Sequence, residues 1–297
     1  MAGIIPAVTI GGVRPEQLLR NLHVQTYASN PANLADWQGD PRYTFVQGDI
    51  CDRGVVAQVM GSGVDAIVQL AAESHMDRSI LDGADFVRTN VVGTQVLLEA
   101  ARTHGVNRFV HVSTDEVYGW LGPVGRFTEG SALAPNNPYA ASKAAAELLV
   151  RAYVQTYGVP AMITRASNNY GPYQFPEKEV PLFITNAIEG RELPVYDDGP
   201  HVREWLFVDD HCSGLERVLL AGRTGEIYHI GGGQACTNLE LANLIVRALG
   251  LSEEAIRFVK DRLAHDRRYA LSSEKMAAEL GWRPRVPLAE GVARTVA

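Results

Sequence analysis

The sequence predicts an α/β fold, a doubly wound parallel sheet with a second, smaller C-terminal lobe. Short apolar runs alternate with longer segments of helical periodicity through the first two thirds of the 297 residues. This alternation indicates βαβ units, which build parallel sheets with right-handed crossovers. After about residue 170, proline and glycine interrupt the pattern. We therefore expect a principal domain over residues 1–170, interleaved with a smaller lobe over residues 171–297.

The predicted strands are short apolar runs, and the predicted helices are longer amphipathic segments. The strands are Tyr43–Gln47, Ala66–Leu70, Phe109–Val112 and Ala161–Thr164. The helices cover about Phe86–Arg102 and Pro138–Tyr157. In the first helix one apolar face is predicted, made of Val87, Val91, Thr94, Leu97 and Leu98. After residue 170 we expect helices interleaved with loops. Ligands of parallel sheets bind at the carboxyl ends of the strands, so polar residues there are the functional candidates.

Composition argues against several classes of function. A formal net charge of −7 argues against a nucleic-acid-binding surface. No run of eighteen apolar residues occurs, so no membrane span is predicted. The first residues lack the basic start of a secretory signal. The spacing of Cys51, Cys212 and Cys236 fits neither a zinc site nor a disulfide framework. We therefore expect a protein that binds no metal and is located in the reducing cytoplasm.

The segment Tyr139-Ala-Ala-Ser-Lys143 opens the second predicted helix. Asn137 can cap this helix, and Pro138 suits its first turn. The four-residue spacing places Lys143 on the same face as Tyr139. The ammonium group and the helix dipole would both stabilise a phenolate, which makes Tyr139 a candidate base. Alone, such a pair is more often a surface pair than a catalytic one.

The segment Ser113-Thr-Asp-Glu116 directly follows the predicted strand Phe109–Val112 and contains Thr114, Asp115 and Glu116. Adjacent carboxylates repel each other, and one of them can stay protonated as an acid while the other acts as a base. The alternative is a solvated turn with an aspartate cap.

Together these two segments resemble the active-site motifs of the extended short-chain dehydrogenases, and most closely those of the dTDP-glucose 4,6-dehydratases. Further matching segments are Leu70–Ser79, Asn168–Tyr173, Leu193–Tyr196, Val202–Trp205, His229–Gly233 and Asp261–His265. The resemblance extends from about Thr26 to near the C-terminus. It implies a Rossmann-like fold, NAD as cofactor, dTDP-glucose as substrate, and a homodimer. The helices that start near residues 86 and 138 would pair across its two-fold axis.

The resemblance also implies catalytic roles for the matched residues. Tyr139 would take the proton of the sugar 4-hydroxyl, to which Thr114 would also hydrogen-bond, while C4 passes a hydride to NAD⁺. Glu116 would then take the C5 proton, and Asp115 would protonate the departing 6-hydroxyl. The hydride finally returns to C6. Lys143 would support Tyr139 and contact the cofactor ribose.

Two larger sets of residues follow from the same resemblance. Arg203 and Arg262 suit diphosphate oxygens because a guanidinium offers forked donors. Gly231–Gly233 lacks the spacing of a phosphate loop and predicts a turn between a strand and a helix. Glu179 stands where relatives carry leucine. The cofactor-binding set is Thr26, Asp49, Ile50, Leu70, Ala71, Ala72, Thr89, Tyr139, Lys143 and Asn169. The substrate-binding set is Ser74, Thr114, Asn168, Lys178, Pro194, Tyr196, Arg203, Asn238, Arg262 and His265.

The glycine-rich GxxGxxG turn of the family has no clear counterpart in the sequence. The only candidate is Val8–Gly12, and His23 stands where an acidic ribose-binding residue is expected. We therefore expect a first βα unit that is shortened or incomplete.

Three alternatives to the leading hypothesis remain at this point. They are a nucleotide-sugar epimerase, a dehydratase for another nucleotide, and a catalytically silent nucleotide-sugar-binding homologue. An epimerase returns the hydride to the same carbon, so the pair of Asp115 and Glu116 argues against it. The altered glycine turn favours the silent homologue, whereas the intact Thr-Asp-Glu and Tyr-Lys sets oppose it.

Overall fold

The computed structural model describes residues 18–197, 199, 201–261 and 266–297. Its strands and helices up to residue 157 are Leu19–His23 (β1), Tyr43–Gln47 (β2), Arg53–Gly61 (α1), Ala66–Gln69 (β3), Met76–Leu81 (α2), Ala84–Phe86 (α3), Gly93–His104 (α4), Arg108–Thr114 (β4) and Pro138–Tyr157 (α5). A π-helical turn covers Val87–Val92, and 3₁₀ turns cover Pro31–Trp37 and Asp115–Tyr118.

The remaining elements are shorter on average and richer in strands. They are Ala161–Ala166 (β5), Asn168–Tyr170 (β6), Glu179–Ile188 (α6), Leu193–Tyr196 (β7), Val202–Phe207 (β8), Val208–Ala221 (α7), Ile227–Ile230 (β9), Ala235–Thr237 (β10), Asn238–Ala248 (α8), Ile256–Val259 (β11), Glu274–Leu280 (α9) and Leu288–Val296 (α10). A further 3₁₀ turn covers Glu253–Ala255.

The chain forms two compact units, each assembled from separate segments. Unit one contains the described residues up to Ser113 together with Asn137–Thr164 and Leu215–Tyr228. Unit two contains Thr114–Asn136, Arg165–Gly214 and His229–Ala297. The expected division into domains at residues 170 and 171 stays a prediction.

Unit one is built on parallel strands covered by helices. Strands β1 and β2 form a two-stranded parallel sheet. Strand β3 pairs in parallel with β4 in a separate four-stranded sheet of order β3-β4-β5-β9. Phe109 and Val110 in the middle of β4 are fully buried, as expected for a strand with both faces covered. Leu98 of α4 and Val150 of α5 pack with Phe109 in one apolar core.

Unit two carries two small sheets over a second apolar core. Strand β8 lies between β6, which is parallel to it, and β10, which is antiparallel. Strands β7 and β11 form a parallel pair. The core includes Phe183 of α6, Phe207 of β8 and Ile245 of α8, all buried.

The strands and the long helix predicted from the sequence are confirmed in unit one. Helix α5 begins at Pro138, and the Asn137 side-chain oxygen accepts a hydrogen bond from the Ala140 N–H at 2.8 Å. The single helix expected over about Phe86–Arg102 is instead α3, the π turn and α4. A π turn carries more residues than an α turn, so it shifts the helix face. Val87 is consequently exposed, whereas Leu97 and Leu98 are buried.

Two expectations for the second half of the chain are wrong. Five strands, β7 to β11, occur among the described residues after 170, where helices and loops were expected. They are short, and β8 carries two charged residues, which hide its strand character in the sequence. Gly231–Gly233 lies between strands β9 and β10 rather than before a helix. A Cβ on Gly232 would lie 1.8 Å from the Trp205 carbonyl oxygen, so this glycine allows close approach to β8.

Candidate active site

Tyr139 and Lys143 lie on the first turns of α5, and with Ser142 and Asn90 they form what we call the helix cluster. Lys143 is 4% exposed, and its ammonium group donates a hydrogen bond to the Val112 carbonyl oxygen of β4 at 2.6 Å. Burial lowers the pKa of Lys143 to about 8, although Glu147 acts in the opposite direction. An ammonium group has three N–H donors, so Lys143 keeps donors for a further acceptor.

Asn90, in the π turn, ties the chain after β3 to the start of α5. Its side-chain oxygen accepts from the Glu73 N–H at 2.9 Å. Its amide nitrogen donates to the Glu73 carbonyl at 2.9 Å and to the Ser142 hydroxyl at 2.8 Å. The Ser142 hydroxyl donates in turn to the Tyr139 carbonyl at 2.7 Å. The segment after β3 is therefore fixed against the residues that carry the predicted base.

Unit one brings together nine of the residues predicted to contact NAD, and the tenth, Asn169, lies in unit two. Asp49 follows β2, accepts from the Cys51 N–H at 2.8 Å and forms an ion pair with Arg88 at 2.6 Å. Burial acts to raise the pKa of Asp49, but these hydrogen bonds outweigh it and leave the pKa lowered. The nine are Thr26, Asp49, Ile50, Leu70, Ala71, Ala72, Thr89, Tyr139 and Lys143.

A glycine lets α4 pack closely on the end of β2. A Cβ added to Gly93 would lie 2.5 Å from the Ile50 side chain. Thr89 lies in the π turn just before this contact, and Ala71 and Ala72 are half-buried after β3. His23 closes β1; its Nδ1 accepts from the Gln25 N–H at 2.8 Å, and burial lowers the pKa of His23.

Thr114, Asp115 and Glu116 lie where β4 passes into a 3₁₀ turn, and with Glu204 they form what we call the turn cluster. The Thr114 hydroxyl caps the turn by accepting from the Glu116 N–H at 3.3 Å. The same hydroxyl donates a hydrogen bond to one carboxyl oxygen of Asp115 at 3.3 Å. The other Asp115 oxygen is buried and has no partner among the described residues.

The electrostatics of the turn cluster favour a protonated Asp115. Its side chain is 2% exposed. Burial raises the pKa of Asp115 well above its usual value, and the charges of Glu116 and Glu204 raise it further. Arg203 and the Thr114 hydroxyl act in the opposite direction without reversing the shift. A neutral carboxyl group at neutral pH can donate a proton, as a general acid must.

Glu204 is a functional candidate that was not singled out from the sequence. It is fully buried in β8. One oxygen accepts from Arg126 at 3.1 Å and from the Leu271 N–H at 2.9 Å, and the other accepts from the Gly233 N–H at 2.7 Å. The available signal was a charged pair inside the apolar run Val202–Phe207, because buried charges need such partners.

The predicted substrate-binding residues fall in both units and partly outside the described residues. Ser74 lies in unit one; Arg262, His265 and the glycine-turn candidate Val8–Gly12 are not among the residues that the structure describes. Unit two holds Thr114, Asn168, Lys178, Pro194, Tyr196, Arg203 and Asn238.

Two of these side chains present buried acceptors, and one cation is already engaged. The side-chain oxygens of Asn168 and Asn238 are buried and have no partner among the described residues. Buried polar atoms of this kind need a partner, which a ligand can supply. The Arg203 guanidinium donates to the Asp266 carbonyl at 2.8 Å and to the Val202 carbonyl at 3.0 Å. Its role toward a diphosphate stays a prediction.

The described residues offer neither a metal site nor a membrane span. No group of three or more histidine, cysteine, aspartate or glutamate side chains there is arranged to hold a metal ion. Within the same residues, no helix combines the length and the apolar character needed to cross a membrane.

The family profile described as GDP-mannose 4,6 dehydratase matches residues 16–295. The dTDP-glucose 4,6-dehydratase of an Actinoplanes species is 54% identical over 271 residues, which cover 91% of this chain and 84% of that protein. The corresponding enzyme of Streptomyces antibioticus is 52% identical, over 96% of this chain and 84% of that protein.

Solved structures give the same result. A double mutant of DesIV, a dTDP-glucose 4,6-dehydratase from Streptomyces venezuelae with NAD bound, superposes with a TM-score of 0.93 at 54% identity. That match covers 95% of this chain and 87% of the other. A UDP-glucose 4-epimerase from Thermotoga maritima superposes with a TM-score of 0.91 at 26% identity, over 99% of this chain and 95% of the other. The fold is therefore shared with epimerases, whereas the sequence is much closer to the dehydratases.

Proposed function

The chain belongs to the GDP-mannose 4,6-dehydratase family, and on that premise we propose that it dehydrates dTDP-glucose to dTDP-4-keto-6-deoxyglucose with NAD as cofactor. The observation that carries this proposal is the environment of Asp115. A buried carboxyl group with a strongly raised pKa stands directly beside a second carboxylate, Glu116. Elimination of water from C5 and C6 needs an acid and a base in addition to the base that acts at the 4-hydroxyl, whereas epimerisation needs no such additional pair.

The residues of unit one fit NAD. Lys143 presents a buried, donor-rich ammonium group, and the small side chains of Ala71 and Ala72 leave room beside the end of β3. Tyr139, Lys143, Asp49 and the segment Leu70–Ala72 would hold the cofactor. When bound, NAD accepts the hydride from C4 of the sugar and later returns it to C6.

Tyr139 acts as the base for oxidation at C4. It takes the proton of the 4-hydroxyl, to which the Thr114 hydroxyl hydrogen-bonds. Lys143 and the N-terminus of α5 supply positive charge that stabilises the phenolate of Tyr139. Because burial lowers the pKa of Lys143 to about 8, its ammonium group is still largely charged at neutral pH.

Asp115 and Glu116 carry out the elimination. The ketone formed at C4 acidifies the C5 proton, which Glu116 removes. The C6–O bond then breaks, and the proton of Asp115 passes to the departing hydroxyl, which leaves as water. The hydride returns to C6 and a proton returns to C5, which gives the 6-deoxy product. Each proton-transfer group contributes about 10²- to 10⁴-fold to the rate.

Residues of the substrate set bind the nucleotide. The free buried oxygens of Asn168 and Asn238 support this assignment, since they lack partners among the described residues. Lys178 and Arg262 supply positive charge for the diphosphate, and the Tyr196 ring offers an aromatic face for the base. The choice of thymine over another base follows the dTDP-glucose 4,6-dehydratases that are 54% and 52% identical to this chain.

A homodimer in the cytoplasm completes the proposal. Val87 and Val92 of the π turn and Leu148 of α5 are apolar side chains with about half of their surface exposed. They lie on the segments expected to pair across a two-fold axis, where burial of apolar surface stabilises association. The cysteines Cys51, Cys212 and Cys236 are all free, in keeping with a reducing compartment.

The test is incubation of the purified chain with dTDP-glucose, with and without added NAD⁺, followed by mass spectrometry of the sugar nucleotide. We expect loss of one water, slowed about 10²- to 10⁴-fold in Glu116→Gln. Turnover only with added NAD⁺ would mean that the cofactor is held weakly. A folded chain that binds dTDP-glucose but leaves its mass unchanged would contradict the proposed reaction and favour the silent homologue.

A further inference from the structure

Two buried side chains of unit two, His229 and Arg165, converge on Tyr118, the last residue of the turn Asp115–Tyr118. The Tyr118 hydroxyl lies 2.6 Å from Nε2 of His229 and 3.0 Å from the Thr128 carbonyl oxygen. It also accepts a short hydrogen bond from Arg165. On its other side the His229 ring reaches the Ser272 carbonyl with Nδ1 at 2.9 Å. Tyr118, His229 and Arg165 are each almost fully buried.

The two ends of this chain of contacts fix the direction of every hydrogen bond in it. A carbonyl oxygen only accepts, so Nδ1 of His229 carries a proton and donates to Ser272. Burial lowers the pKa of His229 to about 3, with Arg165 and Lys275 acting in the same sense and the Ser272 carbonyl opposing them. The ring is therefore neutral, and its Nε2 has a free lone pair.

The remaining protons follow from that tautomer. The Tyr118 hydroxyl donates to Nε2 of His229, which is its shorter contact with an acceptor. A guanidinium only donates, so Arg165 donates a hydrogen bond to the phenol oxygen of Tyr118. Arg165, Tyr118, His229 and the Ser272 carbonyl thus form a single chain of donors and acceptors with one arrangement. Alternative rotamers of Tyr118 would leave buried polar atoms unpaired, which is unfavourable.

The aromatic surroundings and the backbone hold the same turn. The Tyr118 ring stacks on Phe127 with centroids 4.6 Å apart and meets the His229 ring edge-on at 5.5 Å. The Val117 carbonyl accepts from the Ala134 N–H at 3.0 Å. Gly119 ends the turn with φ of +72°, and a Cβ there would lie 2.1 Å from the Ala134 carbonyl. The turn is therefore anchored at its C-terminal end, three residues after Asp115.

We propose that Tyr118, His229 and Arg165 form a positioning triad that sets the orientation of Asp115 and Glu116 for elimination, without contacting the substrate themselves. The inference rests on the proposed function, because the two carboxyl groups act in its elimination step. Oxidation at C4 depends on the base Tyr139, which lies outside this turn, and on Thr114, which lies at the capping position before the turn and is the member of the turn cluster nearest to β4. A loosened turn therefore slows elimination more than oxidation.

The test is single-turnover kinetics of Tyr118→Phe with dTDP-glucose, followed by the near-ultraviolet absorbance of reduced nicotinamide. We expect elimination to slow about 10- to 100-fold, as small misplacements of catalytic groups do. The C4 oxidation rate should stay within about threefold of the wild type, so reduced cofactor accumulates in the variant. A purely structural role would slow both steps alike and would not change that accumulation.

His229→Gln and Tyr228→Phe complete the design. His229→Gln keeps an oxygen that can accept from Tyr118 but loses the Ser272 contact, whereas His229→Leu loses both. The elimination rate of His229→Gln should therefore lie between the rates of the wild type and His229→Leu. Tyr228→Phe removes the hydroxyl of another fully buried tyrosine, one that accepts from the Arg223 N–H at 3.1 Å, and should leave both steps unchanged.

The outcomes separate the two proposals. A wild-type chain that neither oxidises C4 nor releases water overturns the proposed function itself. A wild-type chain that turns over, with folded variants that slow both steps equally or neither step, overturns only the positioning triad. Nitrogen-15 NMR of His229 gives a readout independent of activity: we expect the neutral tautomer with its proton on Nδ1 at pH 5, and a protonated ring would contradict the triad.

Discussion

The helix cluster and the turn cluster both shift a buried ionisable group toward its neutral form, but they are built in different ways. In the helix cluster, burial lowers the pKa of Lys143, whose ammonium donates to the Val112 carbonyl. In the turn cluster, burial and two neighbouring carboxylates raise the pKa of Asp115, one oxygen of which is left without a partner. The charged form of Lys143 has a hydrogen-bond acceptor, whereas the charged form of Asp115 would be repelled by Glu116 and Glu204.

The difference follows from the elements that carry the two groups. Lys143 lies on α5, whose 20 residues, asparagine cap and proline start fix its position locally. Asp115 lies on a four-residue 3₁₀ turn, which has little stability of its own. That turn depends on contacts from distant parts of the chain, such as the hydrogen bond between Tyr118 and His229. Local helix structure is enough to place Lys143, which acts in its charged form. Asp115 acts in its neutral form, and that form requires surroundings assembled by the fold.

The largest expected effect separates function from stability at Asp115. Asp115→Asn should lower kcat about 10²- to 10⁴-fold, since the acid is removed. It should also raise the midpoint of thermal unfolding at pH 7. The folded pKa is raised, so stability is lost as pH rises above the ordinary aspartate value, and the variant avoids that loss. Below about pH 4 the two proteins should have equal stability.

Asp210→Asn is the matched control in the same unit. Asp210 is equally buried, but one of its oxygens accepts from the Arg285 and Val286 N–H groups at 2.9 and 2.8 Å. Loss of that charge should destabilise the protein by about 1 kcal/mol. If Asp115→Asn lowers the midpoint as the control does, Asp115 is not held neutral and the comparison between the clusters fails.

The second prediction gives the helix cluster the opposite dependence on pH. Lys143→Met should lower kcat about 10²-fold or more, because Tyr139 loses its positive neighbour. The folded pKa of Lys143 is lowered, so the stability that this group contributes is present above pH 10.5 and is lost as pH falls through about 8. As the pH rises from 8 to 10.5, the unfolding free energy of the wild type should therefore increase relative to that of the variant.

Urea titrations at a series of pH values measure this difference. Lys260→Met, at an exposed lysine, is the control for removal of a lysine side chain. A difference between wild type and Lys143→Met that is also flat with pH would show that burial does not govern Lys143.

Asn90→Ala should weaken the helix cluster without removing an acid or a base. It leaves the Glu73 N–H and carbonyl and the Ser142 hydroxyl without this partner, which should cost about 2–3 kcal/mol of unfolding free energy. KM for NAD⁺ should rise more than kcat falls, because the segment after β3 loses its anchor. Asn186→Ala, whose side chain bonds the Glu192 carbonyl at the surface, should stay within about 0.5 kcal/mol. Equal effects of the two variants would remove Asn90 from the cluster.

The smallest effect concerns the approach of α4 to β2. Gly93→Ala would force a Cβ to within 2.5 Å of the Ile50 side chain and should destabilise the protein by about 1 kcal/mol. Gly61→Ala, in α1 with no atom within 4 Å of the new Cβ, should stabilise it by about 0.5–1 kcal/mol. Calorimetry of both variants measures the contrast, and a stabilising Gly93→Ala would mean that the helix can move away freely.

The helix cluster could be predicted largely from sequence, and the turn cluster only in part. Asn137, Pro138, Tyr139 and Lys143 are close in the chain, so helix geometry alone relates them. The pair of Asp115 and Glu116 was also visible, but Glu204 lies 89 residues beyond Asp115 and was not singled out. Val87 was placed on the wrong face, because a π turn changes the helical period without a sequence signal that we recognised.

The sequence by itself determined the α/β fold of unit one, the segment that carries the base and the adjacent pair of carboxyl groups. These features depend on spacing, capping and apolar periodicity within a few residues of each other. The tertiary structure decided which of the two carboxyl groups is held neutral, which hydrogen-bond chain anchors their turn, and which strands unit two contains. The physical reason is that burial and the charges of distant residues set a pKa, and the fold brings these together from separate parts of the chain.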